Sequence, residues 1–117
     1  MNNRRIDVLR KQLSASTNAY RPFAKEKIEF DDSAVARLTV PDGAVYALLL
    51  LEVDATATDK AKSARFWATG DNPTSTDGLS RGDLDAWDLE ETSVLANFKI
   101  IGIESGKTHT LQVQYYK

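Results

Sequence analysis

A chain of 117 residues, 42% of them hydrophobic and 27% charged, has room for one domain with a real core and for little more. It contains no Cys and a single His, which excludes disulfide frameworks and thiolate zinc sites and leaves a transition metal poorly supplied with ligands. The net charge of −2 is unevenly spread, with seven bases and three acids in residues 1–30 against eight bases and fourteen acids in residues 31–117, so nucleic acid is not expected as the main ligand of the acidic body.

The first residues lack the continuous apolar stretch of a secretory signal. Asn2 and Asn3 are suitable N-caps for a short helix from Arg4 to Ser14. On that helix Ile6, Leu9 and Leu13 fall on one face, Val8 stands beside them, and Arg5, Arg10, Lys11 and Gln12 cover the rest. Three turns with so thin a stripe are marginal alone in water, so the stripe needs a surface to pack on. The polar stretch Ser14–Asn18 and then Pro22 separate this segment from the remainder of the chain. Residues 1–19 are therefore expected to form a basic amphipathic arm, and residues 20–117 a separate domain. The arm is expected to dock on a partner through Arg4, Arg5, Ile6, Leu9, Arg10 and Leu13.

Beyond Phe23 the period becomes two. Ala34, Ala36, Leu38 and Val40 alternate with Val35, Arg37 and Thr39, and Pro41-Asp42-Gly43 then supplies a turn. Val45–Val53 reads as a central strand covered on both faces, being too short to span a membrane, which takes about 20 apolar residues. Ala64–Thr69, with Phe66 and Trp67, is the next expected strand, and residues 70–78 form a long loop rich in breakers. Leu84, Ala86, Trp87 and Leu89 suggest another strand among acids. Phe98–Ile103 and Thr108–Tyr116 flank Glu-Ser-Gly-Lys as an antiparallel hairpin would. In the last strand Leu111, Val113 and Tyr115 share one face, opposite Thr110, Gln112 and Gln114. About seven short strands with turns every ~8–12 residues point to a mainly β, antiparallel β-sandwich.

Little here specifies chemistry. His109 is expected at an exposed edge position beside the hairpin turn, and no Gly-x-Ser-x-Gly elbow surrounds any Ser. The acids between Asp71 and Glu91 do not follow the calcium-loop spacing, since Pro73 and Ser75 occupy ligand positions, and they read as a solvated face. Neither a metal nor another cofactor is expected. Trp67 and Trp87, with Tyr115 and Tyr116, give an alternative: a stacking platform for sugar rings in a carbohydrate-binding module.

The stretch Ala64–Leu79 carries the strongest resemblance. Ala47-Leu-Leu-Leu50, Arg65-Phe66, Asp71-Asn-Pro-Thr74, Gly78, Gly82-Asp83, Leu95 with Phe98-Lys-Ile100, and Leu111-Gln-Val-Gln-Tyr-Tyr116 are similar in order to a pattern of small virion proteins of tailed bacteriophages. The likeness covers residues 44–117, and Gly70-Asp71-Asn72 stands where that pattern has an Asp-Gly step. It implies a β-sandwich or jelly-roll of about seven to eight strands, without enzymatic activity, serving as a head fibre, capsid decoration or tail accessory protein in the virion. Its implied partners are other virion proteins, capsid or portal and tail components. A small cysteine-free domain also gains from self-association, for which a trimer is expected.

Overall fold

Side-chain alternation divides the chain into short strands that bury one face each. The computed structural model describes residues 20–117. They contain β1 (Pro22–Phe30), β2 (Ala36–Arg37), β3 (Tyr46–Glu52), β4 (Ala64–Trp67), β5 (Leu79–Arg81), β6 (Ala86–Glu90), α1 (Thr92–Asn97), β7 (Lys99–Gly102) and β8 (His109–Tyr116). The expected arm, with Arg4, Arg5, Ile6, Leu9, Arg10 and Leu13, lies outside the described residues.

The strands form two four-stranded antiparallel sheets, ordered β1-β8-β3-β6 and β2-β7-β4-β5. In the first sheet Leu111, Val113 and Tyr115 of β8 lie opposite Leu51, Leu49 and Ala47 of β3, all facing inward. Trp87 and Leu89 of β6 continue those rows across Leu49 and Ala47. The second sheet contributes Ala64, Phe66 and Ile100 from its inner face, so one core lies between the sheets. Its centre is aromatic. Phe66 of β4 stacks on Trp87 of β6 at 5.3 Å between ring centroids, and Phe98 packs against Phe66 at 5.4 Å. Stacked rings that also bury large areas tie the two sheets together here.

Several connections differ from the sequence expectation. Phe98–Ile103 and Thr108–Tyr116 do form strands, but not one hairpin: β7 belongs to the second sheet and β8 to the first, so residues 103–108 cross from one to the other. Of the alternating run 34–40 only Ala36 and Arg37 pair, against Ile100 and Lys99. Leu84 lies in a turn at φ 64°, and its strand begins at Ala86. The strand Pro22–Phe30 hides in the sequence because Glu26 occupies an inward position, where an apolar residue would have marked the alternation. Tyr115 Oη donates to Glu26 Oε1 at 2.6 Å, and the amide of Thr39 donates to the same oxygen at 3.0 Å. The short helix α1 carries the chain from β6 to β7 and buries Leu95.

Candidate functional site

The two outward faces and the two loop ends are where function must reside, since the interior is packed. On the outward face of the first sheet the registers place Tyr116, Tyr46 and Glu90 in one row. Lys25, Gln114, Leu48 and Asp88 form the next row, and Lys27, Gln112, Leu50 and Ala86 the third. Leu48 and Leu50 are half-buried and floor an open hollow of about 380 Å³, walled by Lys25, Ala86, Gln112 and Gln114. The continuous run Ala47–Leu51 produces this face: in a strand, alternate residues of an unbroken apolar stretch must point outward. As expected, β3 is an interior strand of its sheet, but its outward Leu48 and Leu50 are only half-buried. The expected cover on both faces is therefore complete on the inner one alone among the described residues.

The described chain begins at this same face. The ring of Tyr20 stacks on Tyr46 at 5.1 Å, and Tyr46 meets Tyr116 edge-on at 5.1 Å. Arg21 and Lys117 exchange backbone hydrogen bonds of 2.7 and 2.9 Å, and Pro22 opens β1. Proline suits the first residue of an edge strand, and the chain is already paired one residue earlier, at Arg21.

On the outward face of the second sheet stand Arg65, Trp67, Lys99 and Ile101. Arg65 donates to the carbonyls of Ser75 (3.1 Å) and Gly78 (2.7 Å), and Lys99 Nζ donates to the carbonyl of Gly70 (2.7 Å) and to Asn72 Oδ1 (3.1 Å). These two cations pin the 70–78 loop to the sheet, and within the loop Pro73 is buried.

The aromatics of the sugar-stacking alternative are dispersed. Trp87 is 3% exposed on the inward face of the first sheet, where the Arg81 guanidinium sits 5.1 Å over its ring, so it offers no surface to a ligand. Trp67 is half-buried on the outer face of the other sheet, Tyr115 points into the core, and Tyr116 is covered. No platform joins them.

His109 is fully buried, not exposed at a hairpin edge, because its strand position faces the core in line with Leu111 and Val113. Its Nδ1 accepts from the Asp54 amide at 3.1 Å, so a neutral ring carries its proton on Nε2, which has no acceptor among the described residues. Burial lowers its pKa, and Asp54 and Glu104 oppose that shift. Around it the loops cap one another. Asp54 accepts from Thr56 and Thr108, which brings its carboxyl down to about 2, and Glu104 accepts from Thr58, which lowers its own. This end of the molecule is a structural clasp, and its imidazole is sealed from solvent. Asp83 and Asp85, among the acids read as a solvated face, accept from the amides of Val53 and Gly82. Among the described residues no three metal-ligating side chains gather, and no helix is long and apolar enough to cross a membrane.

Comparison of the chain with protein-family models, curated proteins and solved structures gave no match.

Proposed function

We propose that the chain is a non-enzymatic structural protein of a virion, a jelly-roll module fixed to the capsid as a head fibre or decoration protein through residues 1–19. The observation that carries this reading is the strand order. Eight strands arranged β1-β8-β3-β6 over β2-β7-β4-β5 follow the double Greek-key winding of jelly rolls, an architecture common in capsid and lectin domains. The similarity of residues 44–117 to small phage virion proteins supports the same assignment. The exposed Leu79 and Leu84 support association into a homo-oligomer, a trimer in this reading. Leu84 is 66% exposed, a cost that contact with a neighbouring subunit would offset. Of the carbohydrate-binding alternative only Trp67 survives as a candidate contact.

The attachment is tested by replacing Arg4, Arg5 and Arg10 together with Glu. The variant should melt at the temperature of the parent yet be missing from assembled particles viewed by electron microscopy. Normal incorporation would place attachment elsewhere on the molecule.

A further inference from the structure

We infer that β1 is a self-association edge, along which a second copy of this chain pairs antiparallel and joins the two first sheets into one. β1 ends the order β1-β8-β3-β6, with β8 on one side and no strand on the other among the described residues. The hydrogen bonds show which of its groups face outward. The Val45 amide donates to the Tyr116 carbonyl, so Tyr116 turns its backbone toward β3. Alternation along β8 then turns Val113 and Leu111 toward β1, where they pair with Glu26 and Ile28. Lys25, Lys27 and Glu29 therefore direct their N–H and C=O groups away from the sheet, and all three are exposed.

Such an edge is a template for a further strand unless the chain blunts it. A proline or a bulge in mid-strand would do so, but both features fall at the start of β1. Pro22 is its first residue, and the irregular step lies between Pro22 and Ala24. Ala24–Phe30 then pairs with β8 without interruption. Thr39 approaches β1 on its inner side, where its amide donates to the Glu26 carboxylate, and leaves the edge groups unused.

Charge selects the occupant. Across β8, Lys25, Lys27 and Glu29 face Gln114, Gln112 and Thr110, none of which is charged. An edge of one sign would repel a second copy, whereas Lys-x-Lys-x-Glu is self-complementary in one antiparallel register. Placing Ile28 on a two-fold axis sets Lys27 opposite the partner's Glu29 and, by symmetry, Glu29 opposite the partner's Lys27. These residues also turn their backbones outward, so each pair exchanges two main-chain hydrogen bonds. Ile28 is half-buried against the core, and at the axis it gains apolar cover from its own copy. Moving the axis to Glu26, Lys27 or Glu29 sets like charges opposite each other, which is destabilising. Being two-fold, the contact closes on itself. Leu79 and Leu84 lie toward β6, at the other end of the sheet order, so this contact goes beyond the association proposed through them.

The test exchanges charge at two exposed positions. Lys27→Glu alone sets carboxylates opposite each other across the axis, and Glu29→Lys alone sets ammonium groups there. Either variant should weaken the contact roughly tenfold or more and halve the mass of the parent assembly in sedimentation at low ionic strength. Halving is expected for a dimer, and equally for a hexamer in which a three-fold contact through Leu79 and Leu84 also forms. Its failure is thus distinct from failure of the virion reading, which is judged in particles. Mixing the two variants one to one should restore the parent mass, because each altered residue then meets its opposite charge in the other chain. The double variant Lys27→Glu/Glu29→Lys should keep the parent mass for the same reason. A parent with an odd number of chains, one included, would overturn the proposal. So would an unchanged mass in either single variant, or a mixture that stays at half the mass.

Discussion

The outward faces of the two sheets are built on opposite plans. The second sheet covers itself: its 70–78 connection lies back over the surface, held by Arg65 and Lys99 donating to loop carbonyls. The first sheet has no such connection among the described residues, yet it carries the more apolar floor, Leu48 and Leu50, and the more deeply covered polar groups, Asp88 and Tyr116. A face held by its own loop is complete once the domain has folded. A face with an open apolar floor is completed by another segment or another molecule. Interaction is therefore to be sought on the first sheet, and rigidity on the second.

The largest expected effect tests the core on which both faces rest. Trp87→Ala removes the ring that Phe66 and Arg81 pack against and should cost about 3–5 kcal/mol in urea unfolding, a large part of the stability of a domain this size. Trp67→Ala, on the outer face of the second sheet, should cost less than half as much. If the two losses proved equal, Trp67 would belong to the core and the second sheet's outer face would need another description.

Next in size is the pair Arg65→Ala with Lys99→Ala. Losing charged donors to partly buried carbonyls should cost about 2 kcal/mol and raise amide exchange within residues 70–78, leaving exchange in β3 and β8 unchanged. Spread of the effect into the first sheet would erase the distinction between the faces.

How far this organisation can be read from the sequence depends on where alternation is intact. Thr108–Tyr116 shows its strand and inward face directly, because nothing interrupts its alternation. Val45–Val53 shows its strand but not its inward face, because an unbroken apolar run carries no period. Pro22–Phe30 shows neither, because its inward Glu26 is an acid whose partners, Tyr115 and the Thr39 amide, are remote in sequence. The hairpin expectation for residues 98–116 fails for a related reason. Turn residues show that the chain reverses, while the choice between pairing locally and crossing to the other sheet is made by long-range packing. Sequence reasoning places His109 at the surface because a lone His beside a turn usually sits there. Its burial depends on Asp54, 55 residues away, offering an amide to Nδ1.

A smaller effect comes from that inward acid. Tyr115→Phe removes one hydrogen bond, and Glu26 keeps the Thr39 amide, so the loss should be about 1 kcal/mol. Burial and the neighbouring carboxylate both raise the Tyr115 pKa above its ordinary value of 10.0. The folded state therefore holds this proton more firmly than the unfolded chain. The stability it contributes is complete below pH 10 and is lost as pH rises beyond it. In the Tyr115→Phe variant the melting temperature should fall less steeply between pH 10 and 11 than in the parent, and parallel curves would separate the phenol from alkaline unfolding.

The smallest expected effect is a slope on the acid side, carried by the imidazole at the opposite end of β8. Burial lowers the His109 pKa below 6.5, so the unfolded chain takes up this proton more readily than the folded one. The contribution of a neutral His109 is thus complete above pH 6.5 and fades as pH falls toward the depressed folded value. Protonation would also place a second N–H against the Asp54 amide, turning the 3.1 Å hydrogen bond into a clash of donors. The acids facing the ring stay ionised in this range, since Asp54 titrates near 2 and the Glu104 pKa is lowered. Between pH 7 and 5 the melting temperature of the parent should therefore decline. His109→Asn, whose Oδ1 can accept from the same amide without titrating, should remove that part of the decline. Amide exchange at Asp54 should rise at the lower pH in the parent alone. Superimposable pH curves for parent and variant would locate the acid sensitivity outside this clasp.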